Sequence, residues 1–113
     1  MSKREVKLYL TDIVESIGKI ESYSKDLAFV DFVKDMMTID AIVRNLSIIG
    51  EAVKNIPDEM KKRYSAISWH EITGMRNKVV HEYFAVDEEI LWKTVKEDLP
   101  IVKKQIQEIL EEM

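Results

Sequence analysis

A short stretch near the middle of the chain carries side chains that could bind a phosphate and move protons. Arg76 and Asn77 are followed by His81 and, two residues later, by Tyr83. An imidazole can accept or donate a proton near neutral pH, and a guanidinium binds phosphate oxygens through its planar fork. The Asn77 amide could position a phosphate or the imidazole by hydrogen bonding. This set fits RNA cleavage without a metal ion, because the ribose 2′-hydroxyl is the nucleophile and the protein need supply only proton transfer and charge stabilisation.

The residues before this stretch predict the helix that would hold it. Ser68-Trp69-His70-Glu71 has the spacing of a capping box, in which the serine hydroxyl caps a backbone N–H and the glutamate reaches back. A helix beginning there is predicted to run through Phe84. On such a helix Asn77 and His81 lie on one face, one turn apart.

The helical geometry also predicts a site shared between two subunits. Arg76 and Tyr83 lie on one stripe, but Arg76 and His81 are separated by about 140° around the axis. A symmetric helix from a second copy would bring an arginine and a histidine together more naturally than one helix does. A dimer also supplies two histidines, which make a complete acid–base pair. Composition and spacing leave open a simpler alternative, a helix with an interfacial histidine and a solvated arginine.

Basic residues gather around this stretch although the chain as a whole is acidic. The formal net charge is −4, yet the segment from residue 61 to 84 contains Lys61, Lys62, Arg63, Arg76 and Lys78. This island predicts either a phosphate-bearing ligand or a solvated helix face. The further candidates for a cleft that binds RNA are Arg44, Lys78 and Glu51. Arg44 is either a second cation beside Arg76 or the partner of Asp40 in a surface salt bridge.

Composition excludes several classes of site. The 113 residues include no cysteine, which rules out disulfides and thiolate metal sites. The two histidines have no acidic partner at ligand spacing, so neither a zinc site nor a cofactor is predicted. The basic N-terminus is not followed by an apolar run, and no segment is apolar enough to span a membrane. We therefore expect a cytoplasmic protein.

Apolar residues recur at helical spacing along the whole chain and predict an all-α fold. Three glycines and two prolines indicate long helices with few tight turns, and no segment alternates like a strand. Ser2-Lys3-Arg4-Glu5 has the spacing of a second capping box, which predicts a first helix over residues 3–23. Further helices are predicted over residues 26–36 and onward to about 55, then a short one after Pro57 and the central helix. A last helical region is predicted from residue 87, and Pro100 should kink or divide it. The short second helix is predicted to turn Leu27, Val30 and Val33 to one side. The predicted architecture is an up-and-down bundle of four to five helices.

Three residues inside the predicted helices should serve packing. Gly50 and Gly74 each lower helix propensity by about 1 kcal/mol relative to alanine, so we expect both to mark close helix–helix approaches. Asn45 lies towards the apolar side of its helix and is predicted to be a buried structural contact.

Three blocks of the chain resemble one known family. Arg76-Asn77-x-x-x-His81-x-Tyr83 is similar to the Arg-x4-His-x-Tyr motif of HEPN-domain ribonucleases, in particular the HepT-like toxins of the DUF86 group. The block from Asp40 to Ala52 resembles the second long helix of that family, and the block from Val86 to Pro100 resembles its C-terminal part. The likeness covers nearly the whole chain, and no motif position departs from the pattern.

The resemblance implies a single HEPN domain over residues 1–113 that forms a homodimer around the Arg-x4-His helix, with a composite cleft. It implies that the protein is the toxin of a type VII-like toxin–antitoxin system. The activity that it implies is that of an endoribonuclease, with Arg76, Asn77 and His81 in the catalytic site and a 2′,3′-cyclic phosphate as the product. It further implies a cognate minimal nucleotidyltransferase antitoxin that transfers AMP to Tyr83. Two alternatives stay open: a non-catalytic helical dimer that binds a nucleotidyltransferase or a nucleotide, and a purely structural dimer.

Overall fold

A computed structural model describes residues 2–80 and 85–113 and is helical over most of them. The elements in chain order are α1 (Lys3–Ser24), α2 (Phe29–Phe32), α3 (Met36–Lys54), α4 (Asp58–Arg63), α5 (Trp69–Val79), α6 (Glu88–Lys93), a π-helical turn (Thr94–Asp98) and α7 (Leu99–Glu112). Four long helical stretches make the body, since α6, the π turn and α7 follow one another directly, while α2 and α4 are short connections. The prediction of an all-α bundle is confirmed.

The helix α3 lies between α1 and α5 and packs along both, and α7 packs against α1. The core is built from the apolar stripes of these helices, and burying each such side chain contributes roughly 1.5–3 kcal/mol. Its fully buried large side chains are Leu10, Ile13, Ile17, Ile20, Phe32, Ile39, Ile42, Leu46, Ile49, Ile72, Leu91 and Leu99. None of the described helices combines the length and the apolar character that crossing a membrane requires.

Side-chain caps fix the starts of the first two long helices. The predicted cap of α1 is confirmed, because the Glu5 N–H donates to Ser2 Oγ at 3.2 Å. Asp35 caps α3 by accepting from the Thr38 N–H at 3.0 Å and from the Thr38 hydroxyl at 2.8 Å. These two hydrogen bonds, the backbone one first, hold the pKa of the Asp35 carboxyl below its ordinary value.

The second helix is shorter than predicted, and its predicted apolar side is correct only in part. It spans only Phe29–Phe32, and the residue it buries completely is Phe32. The Phe32 ring packs on Trp92 with the ring centroids 4.8 Å apart. Leu27 and Val33 are partly buried against the core as predicted, whereas the prediction is wrong for Val30, which is 59% exposed.

The C-terminal helical region runs through Pro100 without a break, and its geometry changes from a π turn to α7 just before the proline. The π turn directly precedes α7, and the proline lies in the first turn of α7, where its missing N–H is not required. A π turn widens the backbone, which accommodates a ring that would otherwise meet the carbonyl four residues earlier. Lys96 of this turn donates to the Ser24 carbonyl at the end of α1 at 3.2 Å and lies 4.7 Å from the Trp92 ring centroid. A cation therefore stabilises the negative end of α1.

The helical glycines serve different purposes. A Cβ atom on Gly50 would lie 3.2 Å from the Thr73 carbonyl oxygen, so Gly50 does mark a close approach, between α3 and α5. The same expectation is wrong for Gly74, whose added Cβ would meet no described atom within 4 Å. Asn45 is buried as predicted and donates to the Ala41 carbonyl at 2.9 Å, while its Oδ1 has no partner within residues 2–80 and 85–113.

Candidate functional site

The N-terminal half of α5 anchors the site to the core. Trp69 is buried, its indole N–H donates to the Tyr64 carbonyl at 3.1 Å, and its backbone N–H donates to the Ile67 carbonyl at 2.9 Å. The predicted capping box is wrong, because the Ser68 side chain makes no capping hydrogen bond in the described part of the chain. The fixed indole replaces the serine cap in setting where this helix begins.

The C-terminal end of α5 comes earlier than predicted and separates the two halves of the Arg-x4-His motif. The helix ends at Val79, and Val80 is extended, with φ −107° and ψ 121°. Val80 forms an isolated antiparallel bridge with Val86, and the Val79 carbonyl accepts the Asp87 N–H at 2.7 Å. Two consecutive β-branched residues favour this extended pairing over another helical turn.

The prediction of one helix through Phe84 is therefore wrong at Val80. His81 and Tyr83, and the roles predicted for them, lie outside the described residues. The placement of these residues on stripes shared with Asn77 and Arg76 assumed a continuous helix, and that assumption does not hold.

Arg76 and Asn77 stand together at a cavity of about 240 Å³ between α3 and α5. Arg76 is half-buried, and one terminal N–H of its guanidinium donates to Asn77 Oδ1 at 3.2 Å. The cavity is lined by Leu46, Ser47, Gly50, Glu51 and Lys54 of α3 and by Thr73, Arg76 and Asn77 of α5. Two of the predicted catalytic residues and one predicted cleft residue, Glu51, thus share one site.

The groups in this cavity suit an anion with hydroxyl groups attached. Among the described residues the guanidinium keeps further N–H donors, and the Asn77 amide keeps its NH₂ donors, because only its oxygen is engaged there. Glu51 is paired with Lys54 at 3.3 Å, but both side chains are more than half exposed, so that pair is weak and its members can turn to a ligand. If a phosphate binds Arg76, the Glu51 carboxylate in the same cavity can accept a hydrogen bond from a ribose O–H or a base N–H.

A second cavity, of about 360 Å³, opens between α1 and α3. It is lined by Tyr9, Asp12, Arg44, Ser47, Ile48, Glu51, Ala52 and Asn55. Ser47 and Glu51 line both cavities, so the two are neighbours on one face of the bundle. Arg44 is exposed here, and the ion pairs between described residues do not include the predicted pair with Asp40.

Lys78 and the rest of the basic island do not join this site. Lys78 follows Arg76 by about 200° around α5 and lines a different cavity, with Lys93 and Asp98. Lys61 and Lys62 line yet another cavity, near the start of α5. These basic residues are close together in the sequence, but the fold disperses them over several surfaces.

Sequence reasoning did not single out several residues that line the two cavities. These are Lys54 and Thr73 in the first cavity, and Tyr9, Asp12 and Asn55 in the second. Lys54 and Glu51 belong to one polar stripe of α3, which was a usable signal. No periodicity on α1 or α5 indicates which of their residues will face α3, because that depends on how the helices pack.

Comparison of the sequence with known proteins places this chain in a family. A family model described as ribonuclease HepT-like matches residues 13–109. The chain belongs to the HepT-like ribonuclease family. It is 47% identical over 107 residues to "Probable ribonuclease HepT" of Thermococcus cleftensis, covering 95% of this chain and 97% of the relative. It is 45% identical over 103 residues to a protein of Caldanaerobacter subterraneus subsp. tengcongensis named as a "Putative RNase", covering 91% and 92%.

The HepT-like match also occurs within a longer protein. A Methanocaldococcus jannaschii relative whose name joins "Gamma-glutamylcyclotransferase" to an RNase is 42% identical over 111 residues, which cover 98% of this chain and 50% of the relative. No solved structure matches the chain. The match over residues 13–109 includes α3, α5 and the whole Arg-x4-His-x-Tyr segment, so the recognition made from the motifs is confirmed.

Proposed function

We propose that this HepT-like chain is a metal-independent endoribonuclease, the toxin of a toxin–antitoxin pair, acting as a homodimer with a composite active site. The proposal takes residues 1–113 as one HEPN domain that cuts RNA in the cytoplasm. The observation that carries it is the hydrogen-bonded pair of Arg76 and Asn77 at a cavity walled by Glu51. Family membership supports it, because the relatives are named as ribonucleases.

In the proposed reaction His81 removes the proton from the ribose 2′-hydroxyl as the 2′-oxygen attacks the adjacent phosphorus. The new 2′-O–P bond forms while the P–O5′ bond breaks. The departing 5′-oxygen takes a proton from the protonated His81 of the partner subunit. The products are a 2′,3′-cyclic phosphate and a 5′-hydroxyl, with no water, electron or net proton consumed.

Arg76 is assigned to charge stabilisation at the scissile phosphate. Its remaining N–H groups can bind the non-bridging oxygens, on which negative charge grows in the transition state. Asn77 holds the guanidinium through the 3.2 Å hydrogen bond and keeps its NH₂ group for a phosphate oxygen. Glu51 and Arg44 are assigned to contacts with the rest of the RNA. Lys78, on another side of α5, is left without a role in cleavage.

Arg76→Ala should lower RNA cleavage about 10²–10³-fold in buffer containing EDTA, as expected for removing one stabiliser of transition-state charge. Arg76→Lys should restore only part of the rate, because an ammonium lacks the planar fork. The measurement is cleavage of total RNA with mapping of the product ends, and the control is Arg63→Ala, an exposed arginine of α4 lining another cavity. Equal cleavage by Arg76→Ala would contradict the assignment. No cleavage by the unmodified wild type would instead favour the non-catalytic binding module.

We further propose that a nucleotidyltransferase antitoxin regulates the enzyme at Tyr83. The Tyr83 phenolic oxygen would attack the α-phosphorus of ATP, form an O–P bond and release pyrophosphate, while the phenol proton passes to solvent. The bulky anionic adduct, two residues beyond His81 in the sequence, would compete with RNA phosphate for Arg76. The spacing in sequence and the family motif support this assignment.

Incubation with the cognate nucleotidyltransferase and ATP should add one AMP to the wild-type chain and suppress its cleavage of RNA. Tyr83→Phe should accept no AMP and stay active in the presence of the antitoxin, and Tyr64→Phe should behave as wild type. Intact mass and cleavage are measured on the same samples. Inhibition of Tyr83→Phe without any mass change would show that the partner neutralises by binding and would overturn the modification.

A further inference from the structure

The cavity between α1 and α3 has the composition of a site for a flat ring. Its walls include the half-buried Tyr9 and the apolar side chains of Ile48 and Ala52. Ile48 is 38% exposed, so it presents apolar surface at the cavity. A volume of about 360 Å³ is large enough for a nucleobase. An aromatic wall beside aliphatic ones is a surface on which bases stack.

This cavity is joined to the candidate phosphate site. Ser47 and Glu51, one helical turn apart on α3, line both cavities. A ligand with a phosphate on Arg76 can therefore extend past Glu51 into the second cavity without leaving the protein surface. A nucleotide has this layout, with an anionic phosphate at one end and a flat, partly apolar base at the other.

The polar rim of the second cavity offers both acceptors and a cation. Asp12 and Glu51 supply carboxylates. Asn55 already donates its NH₂ group to the Glu51 carbonyl at 2.9 Å, which leaves its side-chain oxygen to accept. Arg44 supplies N–H donors and has no ion-pair partner among the described residues.

We propose that this cavity is the base subsite for a guanine nucleotide whose phosphate lies on Arg76, an inference that rests on the proposed ribonuclease function. Guanine carries adjacent N1–H and N2–H₂ donors on one edge and the O6 and N7 acceptors on another. The carboxylates of the rim match the first edge and Arg44 matches the second. Uracil has two carbonyls and a single N–H, so it can donate to only one of these carboxylates and lacks the paired donors of guanine. Tyr9 supplies the stacking face.

The test uses the four nucleoside 3′-monophosphates as probes of the purified chain, with inorganic phosphate as the probe of the Arg76 site alone. Guanosine 3′-monophosphate should bind about tenfold or more tightly than uridine 3′-monophosphate, the range expected for a bidentate base contact. Tyr9→Leu, which keeps an apolar side chain, should weaken the binding of guanosine 3′-monophosphate about 5- to 100-fold through loss of stacking. Asp12→Asn should reduce the preference for guanine over uracil.

Matched controls lie on the same helix. Tyr23→Leu removes an exposed tyrosine, and Glu15→Gln neutralises an exposed acid, neither of which lines the cavity. Both should bind all four nucleotides as wild type does. Inorganic phosphate should bind the Tyr9→Leu variant as it binds the wild type, whereas the Arg76→Ala variant should no longer bind it.

Two outcomes would overturn the subsite while leaving the ribonuclease proposal intact. One is equal binding of the four nucleotides, unaffected by Tyr9→Leu, in a protein whose RNA cleavage still needs Arg76. The other is conversion of the dimer to a monomer by Tyr9→Leu with nucleotide binding unchanged, which would assign the cavity to a second copy of the chain. The ribonuclease proposal itself would fail on a different result, namely RNA cleavage that is unchanged by Arg76→Ala.

Discussion

His81→Ala should reduce RNA cleavage about 10²–10⁴-fold, the contribution typical of a positioned general acid or base. The chain should remain folded, because the change removes one side chain beyond the end of α5 and leaves the Trp69 anchor and the Val80–Val86 bridge in place. Cleavage rates and thermal unfolding are measured on the same preparation. His70→Ala is the matched control, since His70 is the other histidine of the chain, is exposed and lines different cavities.

The same variant tests whether the active site is shared by two subunits. Wild-type and His81→Ala chains are mixed in equal amounts, unfolded together and refolded. If each site needs both histidines, activity per wild-type chain should fall by about half, because only a dimer with two wild-type chains is active. Activity per wild-type chain that stays constant would show that each subunit works alone, and would contradict the composite cleft.

Gly50→Ala should destabilise the protein by about 1–3 kcal/mol and slow cleavage as well. The added Cβ would lie 3.2 Å from the Thr73 carbonyl oxygen, which belongs to the backbone of α5. The Cβ position is itself fixed by the backbone of α3, so relief requires a shift of one helix against the other. Accommodating it moves α5 relative to α3, which carries Arg76 and Asn77 away from Glu51 across the shared cavity. We therefore expect a loss in urea unfolding stability together with a lower rate, although alanine is the better helix former.

Gly18→Ala and Gly74→Ala provide matched controls in α1 and α5. An added Cβ at either position meets no described atom within 4 Å. Both substitutions should stabilise the protein by about 0.5–1 kcal/mol, because alanine loses less conformational entropy in a helix. A Gly50→Ala variant that gains stability as these two do, with unchanged cleavage, would contradict the proposal that this glycine sets the spacing of α3 and α5.

Much of the fold was predictable because it rests on local periodicity. The stripe Ile39, Ile42, Val43, Leu46, Ile49 and Val53 repeats at helical spacing, and all of these residues except the partly buried Val43 are buried in α3 as the spacing predicts. Ser2 and Pro57 marked helix starts through short-range rules, and both hold. The family was recognisable for a related reason, since the motif residues and their order are properties of the chain itself.

Two of the failures come from contacts that helical periodicity does not describe. The helix α5 stops at Val79 because Val80 pairs with Val86 and the Val79 carbonyl accepts the Asp87 N–H. Helical spacing from Asn77 to His81 gave no sign of that pairing. Phe32, rather than Val30, turns inward because Trp92 is there to receive it. Periodicity describes one segment and carries no information about its neighbours.

Residue types and their spacing are enough to show that this protein is an all-α chain of the HepT-like family with an arginine, an asparagine and a histidine at motif spacing. Which polar residues meet depends on how the helices pack. The tertiary structure joined Arg76 and Asn77 to Glu51 across the close approach at Gly50, set Lys78 on another surface, and placed Tyr9 and Arg44 in a neighbouring cavity. The physical reason is that helix formation depends on residues within about four positions, whereas a cavity depends on the distance and rotation at which two helices pack.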